Sequence, residues 1–113
     1  MPTADLTLFG TGSWGTALAV HLAQNDRRVL LWGRRPDAIA AMQRTRHNPA
    51  YLPDVTLPDG VRLTTDLADA AAASDLWGLA VPSHALRSVT ERLAPHLTER
   101  TVPISLAKGI END

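Results

Sequence analysis

Leu6-Thr-Leu-Phe-Gly10-Thr-Gly-Ser-Trp-Gly15-Thr-Ala-Leu-Ala-Val-His-Leu-Ala23 is the stretch on which the rest of the chain hangs. Leu6, Leu8 and Phe9 form a short apolar run close to the N-terminus, and Gly10, Gly12 and Gly15 follow as G-x-G-x-x-G. An alanine- and leucine-rich run then continues without a breaker as far as Asn25-Asp26. The order is strand, glycine turn, helix, which is the context a dinucleotide-binding turn requires. Each glycine has a physical task. Gly10 permits the tight turn, Gly12 lets the backbone approach a pyrophosphate, and Gly15 lets the helix lie close to the strand. The free N–H groups and positive dipole end of the helix then face the phosphates. Ser13 either donates to a phosphate or caps the helix. Trp14 either walls a cofactor or packs against another part of the protein.

The bulk properties narrow the field. The chain has 113 residues, 44% hydrophobic, and a formal net charge of -1. That is one ordinary domain, large enough for a core. Near-neutral charge gives no electrostatic reason to expect nucleic acid or an acidic membrane as partner. With no cysteine, disulfides, thiolate catalysis and cysteine-based metal sites are excluded. No apolar run approaches the ~18 residues of a membrane span. The N-terminus lacks a basic region followed by an apolar one, so it does not read as a signal peptide, and a cytoplasmic location is expected.

Beyond the first helix, Val29-Leu-Leu-Trp32 suits a buried parallel strand. The end of this second strand is where such a fold reads the adenine ribose. An acidic residue there favours NAD, whereas this chain has Gly33-Arg34-Arg35. Two guanidiniums suit a 2′-phosphate, so NADP(H) is favoured, with NAD(H) left open. The alternative is that both are solvated residues ahead of a helix. Asp37, after Pro36, fits the first turn of that helix better than a ribose. Asp37 to Arg46 reads as amphipathic, with Ile39, Ala40 and Met42 turned inward. A proline-rich connection over residues 47–60 is long for a crossover, and long ordered loops tend to carry function.

Val61 to Thr64 is a third strand, and Thr65 or Asp66 caps a helix from Leu67 to Ala73. Asp75 to Val81 is a fourth strand, which leaves the sheet at Pro82-Ser83. His84 to Leu97 carries Leu86, Val89, Leu93 and Leu97 at helical spacing. Thr101 to Leu106 is a fifth strand, with Ala107-Lys108-Gly109 just past its end. The alternation predicts an α/β fold, a Rossmann-type doubly wound parallel sheet of about five strands with right-handed crossovers, incomplete at the C-terminus. The glycine turn, Arg34-Arg35, Pro82-Ser83 and Lys108 all follow strands and so converge on one edge. Lys108 is the lone lysine beside ten arginines, and a compact ammonium serves as a point charge or proton relay where a guanidinium does not. His21, His47, His84 and His96 show no ligand spacing, and no metal is expected.

Taken in order, Gly10-Thr-Gly-Ser-Trp-Gly-Thr-Ala-Leu-Ala19, Leu31-Trp-Gly-Arg34, Asn48-Pro-Ala-Tyr-Leu-Pro53, Ala80-Val-Pro-Ser83 and Ser105-Leu-Ala-Lys-Gly-Ile-Glu111 resemble the N-terminal domain of bacterial NAD(P)-dependent glycerol-3-phosphate dehydrogenase. The family reduces dihydroxyacetone phosphate to sn-glycerol 3-phosphate for phospholipid synthesis. The resemblance implies that Ser13 and Trp14 contact the cofactor through the glycine turn and that Arg34, with Arg35, takes the adenosine end. It further implies that Tyr51 borders the cofactor and that Lys108 reaches both nicotinamide and substrate. It leaves a homodimer open for the intact protein.

The family's helical substrate domain, which carries the proton-donor lysine, has no counterpart in residues 1–113. The expectation is therefore an N-terminal cofactor-binding fragment with no catalytic residue of its own, inactive alone, and with exposed apolar faces that promote self-association. Two alternatives stand beside it. One is another reductase of this fold, such as ketopantoate reductase or a 6-phosphogluconate dehydrogenase-like relative. The other is a non-catalytic NAD(P)-binding sensor.

Overall fold

β1 (Leu6–Phe9) is buried along its whole length and lies at the centre of the sheet. The computed structural model describes residues 3–49 and 54–106, and at Ser13 the backbone alone. Around β1 the chain forms α1 (Ser13–Gln24), β2 (Val29–Trp32), α2 (Pro36–Thr45), β3 (Val61–Thr64), α3 (Leu67–Ala73), β4 (Leu76–Leu79), α4 (Ser83–Leu93) and β5 (Val102–Ser105). The strand order is β3-β2-β1-β4-β5, and every neighbouring pair is parallel. The carboxyl ends are level: Phe9 sits opposite both Trp32 and Leu79, Trp32 opposite Thr64, and Leu79 opposite Ser105. All loops that follow strands therefore open on one edge. The chain winds outward from β1 to β3 and then crosses back to β4. The winding direction reverses between β1 and β4, the position at which open α/β sheets bind ligands.

Because successive residues of a strand point to opposite faces, the two apolar sets of β2 divide between two cores. Val29 and Leu31 join Leu6 and Leu8 beneath α1 and α2, with Ala19, Val20, Ile39 and Met42. Leu30 and Trp32 join Phe9 on the other face, beneath α3 and α4, with Ala70, Val89 and Leu93. Phe9 meets Trp77 edge-on at 5.6 Å and Trp32 at 6.0 Å between ring centroids. Both indoles find acceptors, Trp32 Nε1 donating to the Thr65 carbonyl at 3.1 Å and Trp77 Nε1 to that of Ser74 at 3.0 Å. Such satisfaction is what lets an indole stay buried. The buried Thr7 hydroxyl likewise donates to the Ala70 carbonyl at 2.8 Å.

The helix boundaries follow local chemistry. Pro36 and Asp37 occupy the first turn of α2, as their spacing predicts. Asp66 caps α3, its Oδ1 accepting from the Asp69 N–H at 3.1 Å. Two expectations need correction. Ile39 and Met42 are buried, but Ala40 is exposed, because the inward stripe of α2 is narrower than its run of apolar residues. The helix from residue 84 does not reach Leu97. It ends at Leu93 and tightens into a 3-10 turn over Ala94–His96, leaving Leu97 exposed. Pro95 is the cause: continued α-helix would drive its ring into the carbonyl of Glu91.

Candidate functional site

The turn between β1 and α1 is built by steric necessity at two of its glycines. Gly10 has φ +129°, and a Cβ there would collide with the Ala80 carbonyl. Its N–H donates to the Trp32 carbonyl at 2.8 Å, so the turn starts locked to the neighbouring strand. A Cβ on Gly15 would stand 2.7 Å from the Gly10 carbonyl oxygen and 3.2 Å from the Ala80 side chain. These two glycines let β1, α1 and the end of β4 lie in contact.

Gly12 is different. It is the N-cap of α1 at φ -69°, ψ -177°, a conformation open to any residue, and among the described residues a Cβ there would meet nothing within 4 Å. Among the described residues neither packing nor backbone strain demands glycine at this position. It keeps open a space beside the helix start. The first i to i−4 bond of α1 runs from the Thr16 N–H to the Gly12 carbonyl at 3.0 Å. Gly12, Ser13, Trp14 and Gly15 thus carry the N–H groups that helix geometry leaves without an internal acceptor.

Charge is distributed to match. Asp37 and Asp69 stand in the first turns of α2 and α3, whereas α1 and α4 have no acidic residue there. Those two helices follow β1 and β4, the strands that flank the reversal point. Two positive helix ends without a carboxylate therefore border the same crevice, an arrangement suited to an anion.

The predicted residues fall as follows. Trp14 lies in the first turn of α1 and is 50% exposed, whereas Trp32 and Trp77 are at most 2% exposed. Arg34 and Arg35 are exposed beyond β2, on the same sheet edge as the glycine turn. Among the described residues neither guanidinium makes a hydrogen bond or ion pair. Ser13 opens α1; its side chain, Tyr51 and Lys108 lie outside the described residues. Pro82 and Ser83 are exposed at the start of α4, on this edge as well.

The contacts of two residues, Asn48 and Arg46, went unread in the sequence. Asn48, 4% exposed, reaches from the long connection into the glycine turn. Its Nδ2 donates to the Thr11 carbonyl and to Thr16 Oγ1, both at 2.9 Å. Arg46 adopts a left-handed conformation at the end of α2, φ 60°, and closes the base of that connection. Its guanidinium donates to the carbonyls of Pro58 at 2.5 Å and Val61 at 2.7 Å, while its own carbonyl accepts from the Leu57 N–H at 2.7 Å. An asparagine before a proline signals a turn, and nothing in its local spacing points to a partner more than thirty residues away.

The parallel sheet, its reversal point between β1 and β4 and the glycine turn opening there define a Rossmann-type domain. Residues 5–113 match the family model described as NAD-dependent glycerol-3-phosphate dehydrogenase N-terminus, and the chain belongs to that family. It is 54% identical over 110 residues to a glycerol-3-phosphate dehydrogenase [NAD(P)+] of Salinibacter ruber, covering 97% of this chain and 32% of that protein. The counterpart in Streptomyces griseus is 52% identical, with coverage of 92% and 31%. Among solved structures, glycerol-3-phosphate dehydrogenase from Coxiella burnetii superimposes with a TM-score of 0.87 at 32% identity, over 95% of this chain and 34% of that one. The chain thus spans about a third of the length of the relatives it matches.

Proposed function

We propose that this chain is the cofactor-binding part of an NAD(P)-dependent glycerol-3-phosphate dehydrogenase. The observation that carries the reading is the open space that the described residues leave at Gly12, beside helix-end N–H groups with no intrahelical acceptor and no acidic residue in their first turn. The pyrophosphate would lie there, held by the N–H groups of Gly12, Ser13 and Trp14, with Gly10 and Gly15 fixing the turn. Arg34 and Arg35 would clasp the adenosine end, and their charge favours the 2′-phosphate of NADP(H) over NAD(H). Trp14 and Tyr51 would border the cofactor. Lys108 would approach the nicotinamide and the phosphorylated substrate, dihydroxyacetone phosphate or sn-glycerol 3-phosphate, as a point charge that orients them.

When bound, the nicotinamide supplies the hydride chemistry. The residues of this chain supply binding and orientation. None of them is assigned proton transfer to the carbonyl oxygen. On this reading, the rest of the longer protein provides that group.

Titration with NADPH and NADH, followed by tryptophan fluorescence, tests the proposal. Trp14 is the indole exposed to a ligand at the turn, so its emission is expected to change saturably with dinucleotide, and Trp14→Phe should abolish the change. Replacing Arg34 and Arg35 together by alanine should weaken NADPH about tenfold or more and leave NADH within about twofold, since charge-assisted contacts to one phosphate are lost. Equal weakening of both would remove the assignment of the arginines to the 2′-phosphate. A fluorescence signal insensitive to both dinucleotides would remove the proposal.

A further inference from the structure

Thr11 and Gly12 share one peptide group, and the direction of that group decides which way the Gly12 N–H points. The chain has no cis peptide bond among its described residues. In a planar trans peptide the C=O and the N–H project to opposite sides. The Thr11 carbonyl is held inward by two donors, Asn48 Nδ2 at 2.9 Å and Thr16 Oγ1 at 3.2 Å. Asn48 Nδ2 also donates to Thr16 Oγ1 at 2.9 Å, which closes a three-membered network of a carbonyl, a hydroxyl and an amide. The donor and acceptor roles are mutually consistent: the carbonyl only accepts, the hydroxyl accepts once and donates once, and the amide nitrogen donates twice. Thr16 is fully buried and Asn48 nearly so, which makes loss of either donor costly.

We infer that Asn48, with Thr16, is a positioning residue that sets the Thr11–Gly12 peptide so that the Gly12 N–H faces the dinucleotide's pyrophosphate. The inference rests on the dinucleotide-binding reading above. Its physical content is preorganisation. Gly12 tolerates a wide range of backbone angles, so without an anchor its preceding peptide can rotate and present the carbonyl oxygen to the anion instead. Asn48 itself is brought to the turn by Arg46, which ties the end of α2 to residues 57–61 and thereby fixes the base of the connection that carries Asn48.

The test replaces Asn48 by leucine, which keeps the volume and removes the donor without burying a charge. The 113-residue chain, isotopically labelled, is titrated with NADPH and with NADH while the amide signals of Gly12, Trp14 and Gly15 are followed by NMR. In the wild type all three amides should move on binding. In Asn48→Leu the dinucleotide should bind about tenfold more weakly. The Gly12 amide should lose most of its response, and Trp14 and Gly15, held by α1 itself, should keep theirs. Thr16→Val serves if the leucine variant does not fold: it should give the same pattern with a smaller loss, about threefold, and Thr16→Ser should restore the wild-type response. Unchanged affinity and Gly12 response in the variants would overturn the inference, as would a uniform loss at all three amides, the mark of a merely structural role. Wild-type amides that ignore both dinucleotides would instead overturn the dinucleotide-binding reading and this inference with it.

Discussion

Gly10 and Gly12 stand two residues apart, and the physics predicts opposite consequences for the same substitution. Gly10→Ala places a methyl group against the Ala80 carbonyl at a φ that L residues rarely adopt. Backbone strain and overpacking together should lower stability by about 3 kcal/mol or more. Gly12→Ala meets no atom of the described residues within 4 Å and adopts an ordinary conformation. It should change the free energy of unfolding by no more than about 1 kcal/mol while, on the proposed reading, weakening dinucleotide binding about tenfold or more, because the methyl group would enter the space proposed for the pyrophosphate. Urea denaturation and fluorescence titration of both variants check the pair. A Gly12→Ala chain that binds as tightly as wild type would show that the open space serves no ligand. The motif was visible in the sequence because G-x-G-x-x-G stands between a strand and a helix. The division of labour within it was not, since that depends on Ala80, seventy residues away.

At the level of the elements, the strands were legible because buried parallel strands are short apolar runs, and the starts of α2 and α3 because proline and aspartate punctuate them. The end of α4 was not, because Leu93 and Leu97 keep helical spacing across Pro95 and the apolar period masked the break. The Asn48 latch and the Arg46 closure were equally hidden. Both rest on side-chain bonds to backbone groups brought near only by the fold. A further tie of this kind joins the amino ends of β1 and β2. Asp5 Oδ2 accepts from the Arg28 N–H at 2.8 Å, and the Arg28 guanidinium lies 3.6 Å from Oδ1. The backbone hydrogen bond from Arg28 is the main cause that holds the Asp5 carboxyl below its ordinary value; desolvation opposes it, and the charge and side-chain hydrogen bond of Arg28 and the charge of Arg27 add to the lowering. A carboxyl depressed in the folded state stabilises the fold above its unfolded pKa, about 3.9. That stabilisation is lost as pH falls from there through the lowered native value. Urea midpoints at pH 7 and pH 3 should therefore differ less in Asp5→Asn than in wild type. Equal differences would show that the tie adds nothing to acid sensitivity.

Across the whole molecule, convergence of the strand-following loops on one sheet edge was the most legible property, since it follows from parallel alternation alone. Its counterpart is a sheet that closes well on one side and poorly on the other. β5 pairs with β4 but is exposed at all four positions, and Val102 and Ile104 are 52% and 43% exposed on the same face. Pro103 between them has no N–H to donate, which suits an edge strand and discourages extension of the hydrogen-bond ladder. Any self-association of the 113-residue chain should then be driven by the apolar side chains of this face rather than by strand addition. Replacing Val102 and Ile104 together by lysine should change stability by no more than about 1 kcal/mol, the sum of two surface substitutions. It should also convert a mass that rises with concentration into one that stays monomeric. Sedimentation velocity across a tenfold range of concentration measures both chains. A wild type that remains monomeric throughout would show that the exposed face is not adhesive, and a variant that associates as strongly as wild type would place the contact elsewhere on the molecule.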